Sequence, residues 1–285
     1  MKAAAAMARW LARTLAILLL VTVGSTVLVR FAPGYLSDAR EMDSRYGDTV
    51  RVELSAEAAQ NGTLTHLLWS ELRGWLHGDG GVSRQYGVPV SELILPRLAV
   101  TGALMMRALV LAWALALCAS LLTSAACRPS LLWQAPATLL MAVPTAAMAT
   151  LCLLAGYGGP VLVMALLLSA RDYKFLHHTL RKAWLDPHLL QARAQGVRTR
   201  RLILGYILPA VGPQLSALTS LSIVTALSAL VPVEVIFDVP GLGELAWNAA
   251  LNRDLPVLLS ATIVMSLAVT LAGLASDRPS EWRSA

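Results

Sequence analysis

Over long reaches this sequence carries no charge. Residues 108–127, 129–170, 202–233 and 255–276 contain no Asp, Glu, Lys or Arg, in runs of 20, 42, 32 and 22. Charged residues make up 14% of the chain against 56% hydrophobic ones, whereas soluble domains carry about 25% charged residues. That scarcity excludes an ordinary soluble fold. About 20 consecutive apolar residues cross the hydrocarbon core of a bilayer as a helix. The longest run is interrupted by Gly156-Tyr157-Gly158-Gly159-Pro160, a turn signal, and so divides into two crossings. Residues 14–29 add a short one whose flanking Arg13 and Arg30 can snorkel outward. The expectation is an all-α polytopic membrane protein with six spans.

Catalytic signatures are missing as well. There is no GxxxxGK[ST], HExxH or GxSxG pattern, and no pair of carboxylates within an apolar run. The chain by itself is therefore not expected to hydrolyse ATP, to use a catalytic zinc or to act as a serine hydrolase. Cysteine is rare: Cys118, Cys127 and Cys152 are too widely spaced for a metal motif. Each is expected to behave as a small apolar residue without a disulfide. His177, His178 and His188 lack a supporting ligand set and are expected on a solvated face. No metal or cofactor is expected.

Positive charge is present but unevenly placed, with a net of +6. Between Arg171 and Arg201 there are eight basic and two acidic residues; residues 31–97 hold six basic and nine acidic. Short basic loops face the cytoplasm. Lys2, Arg9, Arg13, Arg128 and the Arg171–Arg201 block then lie on one side, with both termini cytoplasmic. This pattern reports topology rather than a nucleic-acid site. Residues 1–30 read as a cytoplasmic N-terminus and first span; no small-x-small cleavage site follows it, so it is expected to remain as an anchor. Residues 31–97 read as an external segment, with Trp69 and Trp75 on an amphipathic stretch at the membrane surface. Asn61-Gly62-Thr63 is read as a chance match to a glycosylation acceptor. Residues 98–285 read as the transmembrane core with a cytoplasmic loop at 177–206.

Two polar features in the core stand out. Arg107 lies either inside the second span, where a charge suggests function, or near the external surface if the span begins at residue 108. Ser216, Ser220, Thr225 and Ser228 spread small hydroxyls along the fifth span, where small residues allow close helix approach and some could line a pathway.

The loop at 177–206 contains a short helix. Asp186 can cap it, Pro187 fits its first position, and Gly196 suits the left-handed residue that ends it. About two and a half turns are too short to cross a membrane. Leu189, Ala192 and Arg193 lie three and four apart and share a face; this face is expected to seat in a partner's groove. The competing reading is a connector lying on lipid headgroups, held by Arg198, Arg200 and Arg201.

Ala192-Arg193-Ala194-Gln195-Gly196, with Pro209 thirteen residues after the glycine, resembles the cytoplasmic loop of permeases of ATP-binding-cassette importers, in its peptide and nickel branch. Leu190 stands where the loop's leading glutamate would be. Val233-Glu234-Val235-Ile236-Phe237, Pro240-Gly241-Leu242-Gly243 and Arg253-Asp254-Leu255-Pro256 resemble later segments of that family. Arg30-Phe31-Ala32-Pro33-Gly34 and Pro89-Val90-Ser91-Glu92-Leu93-Ile94 resemble earlier ones.

The resemblance implies a transport subunit in a bacterial inner membrane. Its partners would be a second permease, two cytoplasmic ATPases and an external substrate-binding protein. It assigns Leu189, Ala192, Arg193, Ala194, Gly196 and Pro209 to ATPase coupling. It assigns Glu234, Pro240, Gly241 and Gly243 to the outer mouth of the pathway, the glycines in a short re-entrant or external loop. An alternative role for Glu234 is a structural pair with Arg253. The rival functions are an ion-coupled secondary transporter, which needs ionisable groups in its spans, and a membrane-embedded enzyme.

Overall fold

The computed structural model describes residues 12, 14–17, 19–20, 23–24, 80–83, 85–125, 131–252 and 254–281. The first span for the most part, the external segment up to residue 79, Arg30 to Gly34, Cys127, Arg128 and Arg253 lie outside the described residues, as does the side chain of Arg200.

Nine α-helices are named here in chain order: α1 Val90–Ala125, α2 Leu131–Ala142, α3 Thr145–Leu154, α4 Pro160–Trp184, α5 Pro187–Ala194, α6 Thr199–Leu202, α7 Leu208–Ile236, α8 Leu242–Leu251 and α9 Leu255–Glu281. A π-helical turn, Ile203–Ile207, joins α6 to α7. Among the described residues the β content is one isolated bridge, Val82 with Pro89. The all-α expectation holds.

Three stretches are long and apolar enough to cross a membrane: Val90–Thr123, Ile203–Ile236 and Leu255–Gly273. The 42-residue run behaves differently from its reading. Its turn at Gly156 to Gly159 is present, with Gly156 and Gly158 at positive φ. A second break falls at Val143-Pro144, where α2 and α3 meet at 98°. Pro144 has no N–H to continue the ladder and sits at φ −58, ψ 140, outside helical geometry. The crossing expected before the glycine turn is thus a bent pair of short helices. The crossing expected after it is α4, whose charge-free part ends at Ala170 and whose second half is charged.

The chain divides into two compact units. The first comprises Met1–Val100 with Pro240–Ala268. Its core holds Val90, Ile94, Leu242, Leu245, Ala249 and Val257. Asp254, 1% exposed, ties the segment before α1 to the start of α9: Ser83 Oγ donates to its carboxylate, and the Gln85 amide donates to Oδ2 at 3.2 Å. Arg97 on α1 pairs with Glu244 on α8 at 2.5 Å, and Asn248 Nδ2 donates to the same carboxylate. A carboxylate enclosed by protein needs such donors, because it has given up water.

The second unit comprises Thr101–Val239 with Val269–Ala285. One cluster joins Ala116 of α1, Ala137 of α2, Ala170, Tyr173 and Leu176 of α4, and Leu218 of α7. Polar contacts cross the same helices. Ser222 lies 2.8 Å from Asp172 Oδ1, Arg171 Nη1 donates to Thr225, and Ser220 Oγ donates to the Ala272 carbonyl at 2.6 Å. Ser216 and Ser228 bond back to carbonyls of their own helix. Ser220, Ser222 and Thr225 of α7 thus bond to neighbouring helices, as small polar residues do between membrane helices.

Candidate functional site

The helix predicted from Asp186 to Gly196 is present as α5, and its ends follow from its sequence. Asp186 is extended at the N-cap, and its side chain accepts the His188 amide at 3.0 Å. Pro187, at the first helical position, loses no bond that a helix start would make. At the other end Gly196 takes φ +78. The Val197 amide reaches back to the Ala192 carbonyl at 3.3 Å, and the Gly196 amide to Arg193 at 3.0 Å. These two bonds form a Schellman closure, which satisfies carbonyls the helix leaves open and needs a residue that tolerates positive φ. No atom lies within 4 Å of a Cβ built on Gly196. The requirement for glycine there is one of backbone angle, not of space.

Beneath α5 lies a platform built by the chain itself. Leu189 and Ala192 are 5% and 6% exposed and pack with Leu180 of α4, Leu202 of α6, Ile207 of the π turn and Val211 of α7. Val197, Ala183 and Trp184 border the same cluster. This corrects the sequence reading of the face: Leu189 and Ala192 point into their own protein and cannot anchor in a partner's groove. The reason is spacing. In so short a helix the two best apolar positions are the ones that fix it to its base, since isolated helices of this length do not hold their shape. What faces outward is Pro187, His188, Leu190, Gln191, Arg193, Ala194 and Gln195, all exposed. Leu190 is 49% exposed. Leu190 and Ala194 lie four apart, and Arg193 lies three from Leu190, so these three share a face.

Pro209 is not part of this face. It stands in the first turn of α7, just past the π turn, in a helical course that runs without interruption from Thr199 to Ile236. A π turn is a local widening, here closed by the Leu208 amide on the Ile203 carbonyl. Pro209 has no N–H to offer to the preceding turn.

Glu234, expected at an outer mouth, is 0% exposed. Thr101 Oγ1 of α1 donates to its Oε1 at 2.7 Å. It does not line an open surface of the described residues, and Thr101, which sequence reading passed over, is its partner. A threonine in an apolar run gives no signal of its own. Immediately after Glu234 the helix closes with the same motif as α5: the Val239 amide bonds the Glu234 carbonyl at 2.9 Å, and Asp238 takes φ 52. Pro240 is exposed, while Gly241 and Gly243 are buried. Gly241 is the N-cap of α8 and Gly243 lies within it. The expected glycine loop is therefore the start of a ten-residue helix.

Arg107 sits midway along α1 with its side chain exposed. The helix begins at Val90, well before residue 108. His178 and His188 are exposed, but His177 is buried, 3.0 Å from Thr123 Oγ1 through Nδ1 and 5.7 Å in ring centroid from Tyr173. The solvated face expected for all three histidines holds for two. His177 instead joins α4 to α1. Among the described residues no group of three His, Cys, Asp or Glu could hold a metal ion, and Cys118 and Cys152 are free.

A short helix on a basic loop, held from below and exposed above, suits contact with another protein. The chain is 26% identical over 273 residues to the oligopeptide transport system permease protein OppB of Escherichia coli K12, covering 87% of each chain. It is 26% identical over 293 residues to the oligopeptide transport system permease protein AppB of Bacillus subtilis, covering 92% of each. A stretch of 75 residues is 40% identical to OppB of Salmonella typhimurium, 26% of this chain and 24% of that one. The profile of one family, binding-protein-dependent transport system inner membrane component, matches residues 128–280, which include the bent pair, α4, α5 and the whole of α7 and α8. On that match the chain belongs to the family of inner membrane components of binding-protein-dependent transport systems.

Proposed function

We propose that this chain is a permease subunit of an ATP-driven peptide importer, and that α5 is the element through which cytoplasmic ATPases move it. The single observation that carries the coupling reading is the exposure of Leu190, Arg193 and Ala194 on a helix whose Leu189 and Ala192 pack on a platform of Leu180, Leu202, Ile207 and Val211. A helix displaced from outside passes force to whatever it is packed on. Here that is the end of α4 and the start of α7. The relatives named oligopeptide permeases support peptides as the cargo.

The finer assembly follows the same reading: a second, related permease, two ATPase subunits docked from the cytoplasm, and an external binding protein that delivers the substrate. Both termini and the 177–206 loop lie in the cytoplasm, as the charge asymmetry implies. ATP binding and release would then shift the permease pair between two access states by differential contact with α5. Pro240, Gly241 and Gly243, with α8 behind them, stand at the outer end. Glu234 acts there as a buried tie to Thr101 rather than as a wall of the pathway.

Affinity purification of the tagged permease tests this. Leu190→Glu and Ala194→Glu should insert in the membrane, pair with the second permease and lose the ATPase subunits, and uptake of a labelled peptide should stop. Retention of the ATPases with normal uptake in both variants would rule out α5 as the docking element.

A further inference from the structure

Close to the platform of α5, a buried histidine leaves one side of its ring unused. His177 on α4 is 5% exposed. It lies past the charge-free run that ends at Ala170, in the charged half of the helix. Its Nδ1 stands 3.0 Å from Thr123 Oγ1 of α1. Its Nε2 is buried with no hydrogen-bond partner among the described residues. Thr123 decides the tautomer. Its hydroxyl donates to the Ala119 carbonyl at 2.8 Å, and Tyr173 O–H donates to Thr123 Oγ1 at 3.3 Å. Thr123 therefore accepts from His177, which places the ring's one N–H at Nδ1 and a bare lone pair at Nε2.

A proton can enter this ring only at that lone pair. It creates a charged N–H in a buried place that offers no acceptor, which is costly. Nor do the neighbouring helices supply a counter-charge. α1 from Ala108 onward, α2, and α7 up to Val233 contain no Asp, Glu, Lys or Arg. Their one titratable side chain is Cys118, exposed on α1. On α4 itself Lys174, His178 and Arg181 are basic. Tyr173 is bonded to Thr123, and Asp172 accepts from Ser222 of α7. Asp186, the next acid along the chain, accepts the His188 amide. Burial, then Arg181 and His178, hold His177 below the ordinary histidine range. The joint it makes adjoins α5. Leu180, one turn beyond His177, packs with Leu189 and Ala192, and Leu121 of α1 borders the same cluster.

We propose that His177 is a proton-operated latch: neutral, it holds α4 to α1 beside the platform of α5, and protonated, it leaves Thr123 and loosens that platform. A charged ring with no acceptor inside turns out toward water, and its bond to Thr123 goes with it. Histidine is the side chain that changes charge within the pH range of a cell. The sign follows from the direction of the shift. The ring binds its proton more readily in the unfolded chain than in the folded one. The stabilisation is therefore complete above the ordinary histidine value of about 6.5, and is lost as pH falls through the lower folded value. The latch itself does not require α5 to meet an ATPase; its effect on transport rests on that reading.

The test uses the full chain in nanodiscs, with thermal unfolding and hydrogen exchange of the 186–197 amides followed from about pH 8 to about pH 5. Exchange rates are corrected for their intrinsic dependence on pH. The wild type should lose both protection and unfolding temperature on acidification. His177→Asn, which keeps a neutral donor where Nδ1 stands, should lose distinctly less. Thr123→Val should exchange about fivefold faster at neutral pH, as the loss of one hydrogen bond implies, and change little further in acid. Thr123→Ser, His178→Gln and His188→Gln should respond like the wild type. Should His177→Asn not fold, the contrast between Thr123→Val and Thr123→Ser carries the test. An acid response in Thr123→Val as large as in the wild type would overturn the latch. So would a response abolished by His178→Gln or His188→Gln. In the assembled importer, uptake of a labelled peptide should fall over the same pH interval in the wild type. Acid-loosened α5 amides with unchanged uptake would leave the latch standing and overturn α5 as the docking element.

Discussion

Glu234 and Thr101 show how a residue's surroundings change its expected role. A carboxylate with no exposed surface is stable only with donors in place, and replacing Thr101 takes one of those donors away. Thr101→Val should therefore cost about 1–3 kcal/mol in thermal or denaturant unfolding. Glu234→Gln, which keeps an acceptor at Oε1, should cost less than Glu234→Ala. Coupling between the Thr101 and Glu234 substitutions in a double-mutant cycle checks the pair; strict additivity would mean the bond contributes nothing. Gly196 gives a second test at this scale. With open space at its Cβ and φ at +78, a substitution is strained only through its backbone. Gly196→Val should lose about 1–2 kcal/mol and Gly196→Asn distinctly less, since asparagine visits the left-handed region. Equal losses would show that space, not angle, dictates the glycine.

Among the elements, α5 was legible in the sequence down to its caps, because Asp-Pro at one end and glycine at the other each have one physical use there. Which face it buries was not legible. Leu189 and Leu190 are adjacent and chemically identical, and only the position of α4 and α7 decides that Leu189 turns inward. The break at Pro144 was hidden for a related reason: a proline within an apolar run is tolerated in membrane helices, so composition alone did not require a bend. Leu189→Ala should destabilise the loop by about 2–5 kcal/mol through loss of buried contacts, whereas Leu190→Ala should leave stability within about 0.5 kcal/mol of wild type. Hydrogen exchange of the 186–197 amides would separate the two. Similar protection in both variants would contradict the burial of Leu189. The buried His177 follows the same logic: nothing in the pair His177-His178 tells which ring faces Thr123 until α1 is placed beside α4.

At the scale of the whole molecule, class and family were readable from charge-free runs and ordered motifs, because a bilayer imposes composition over many residues at once. Sidedness rests on the distribution of lysine and arginine. In a background with the native cysteines replaced, a cysteine at Thr199 should react with an impermeant reagent only after the membrane is opened, and one at Ser55 should react from outside. Reversal of either would invert the topology. The central claim is that the outer face of α5 meets the ATPase while its inner face holds the permease together. Cross-linking from two neighbouring positions tests it most directly. In the assembled importer, Ala194→Cys should form a cross-link to the ATPase subunit through a short bifunctional reagent. Ala192→Cys, two residues away and 6% exposed, should not. A cross-link from Ala192 and none from Ala194 would contradict the account.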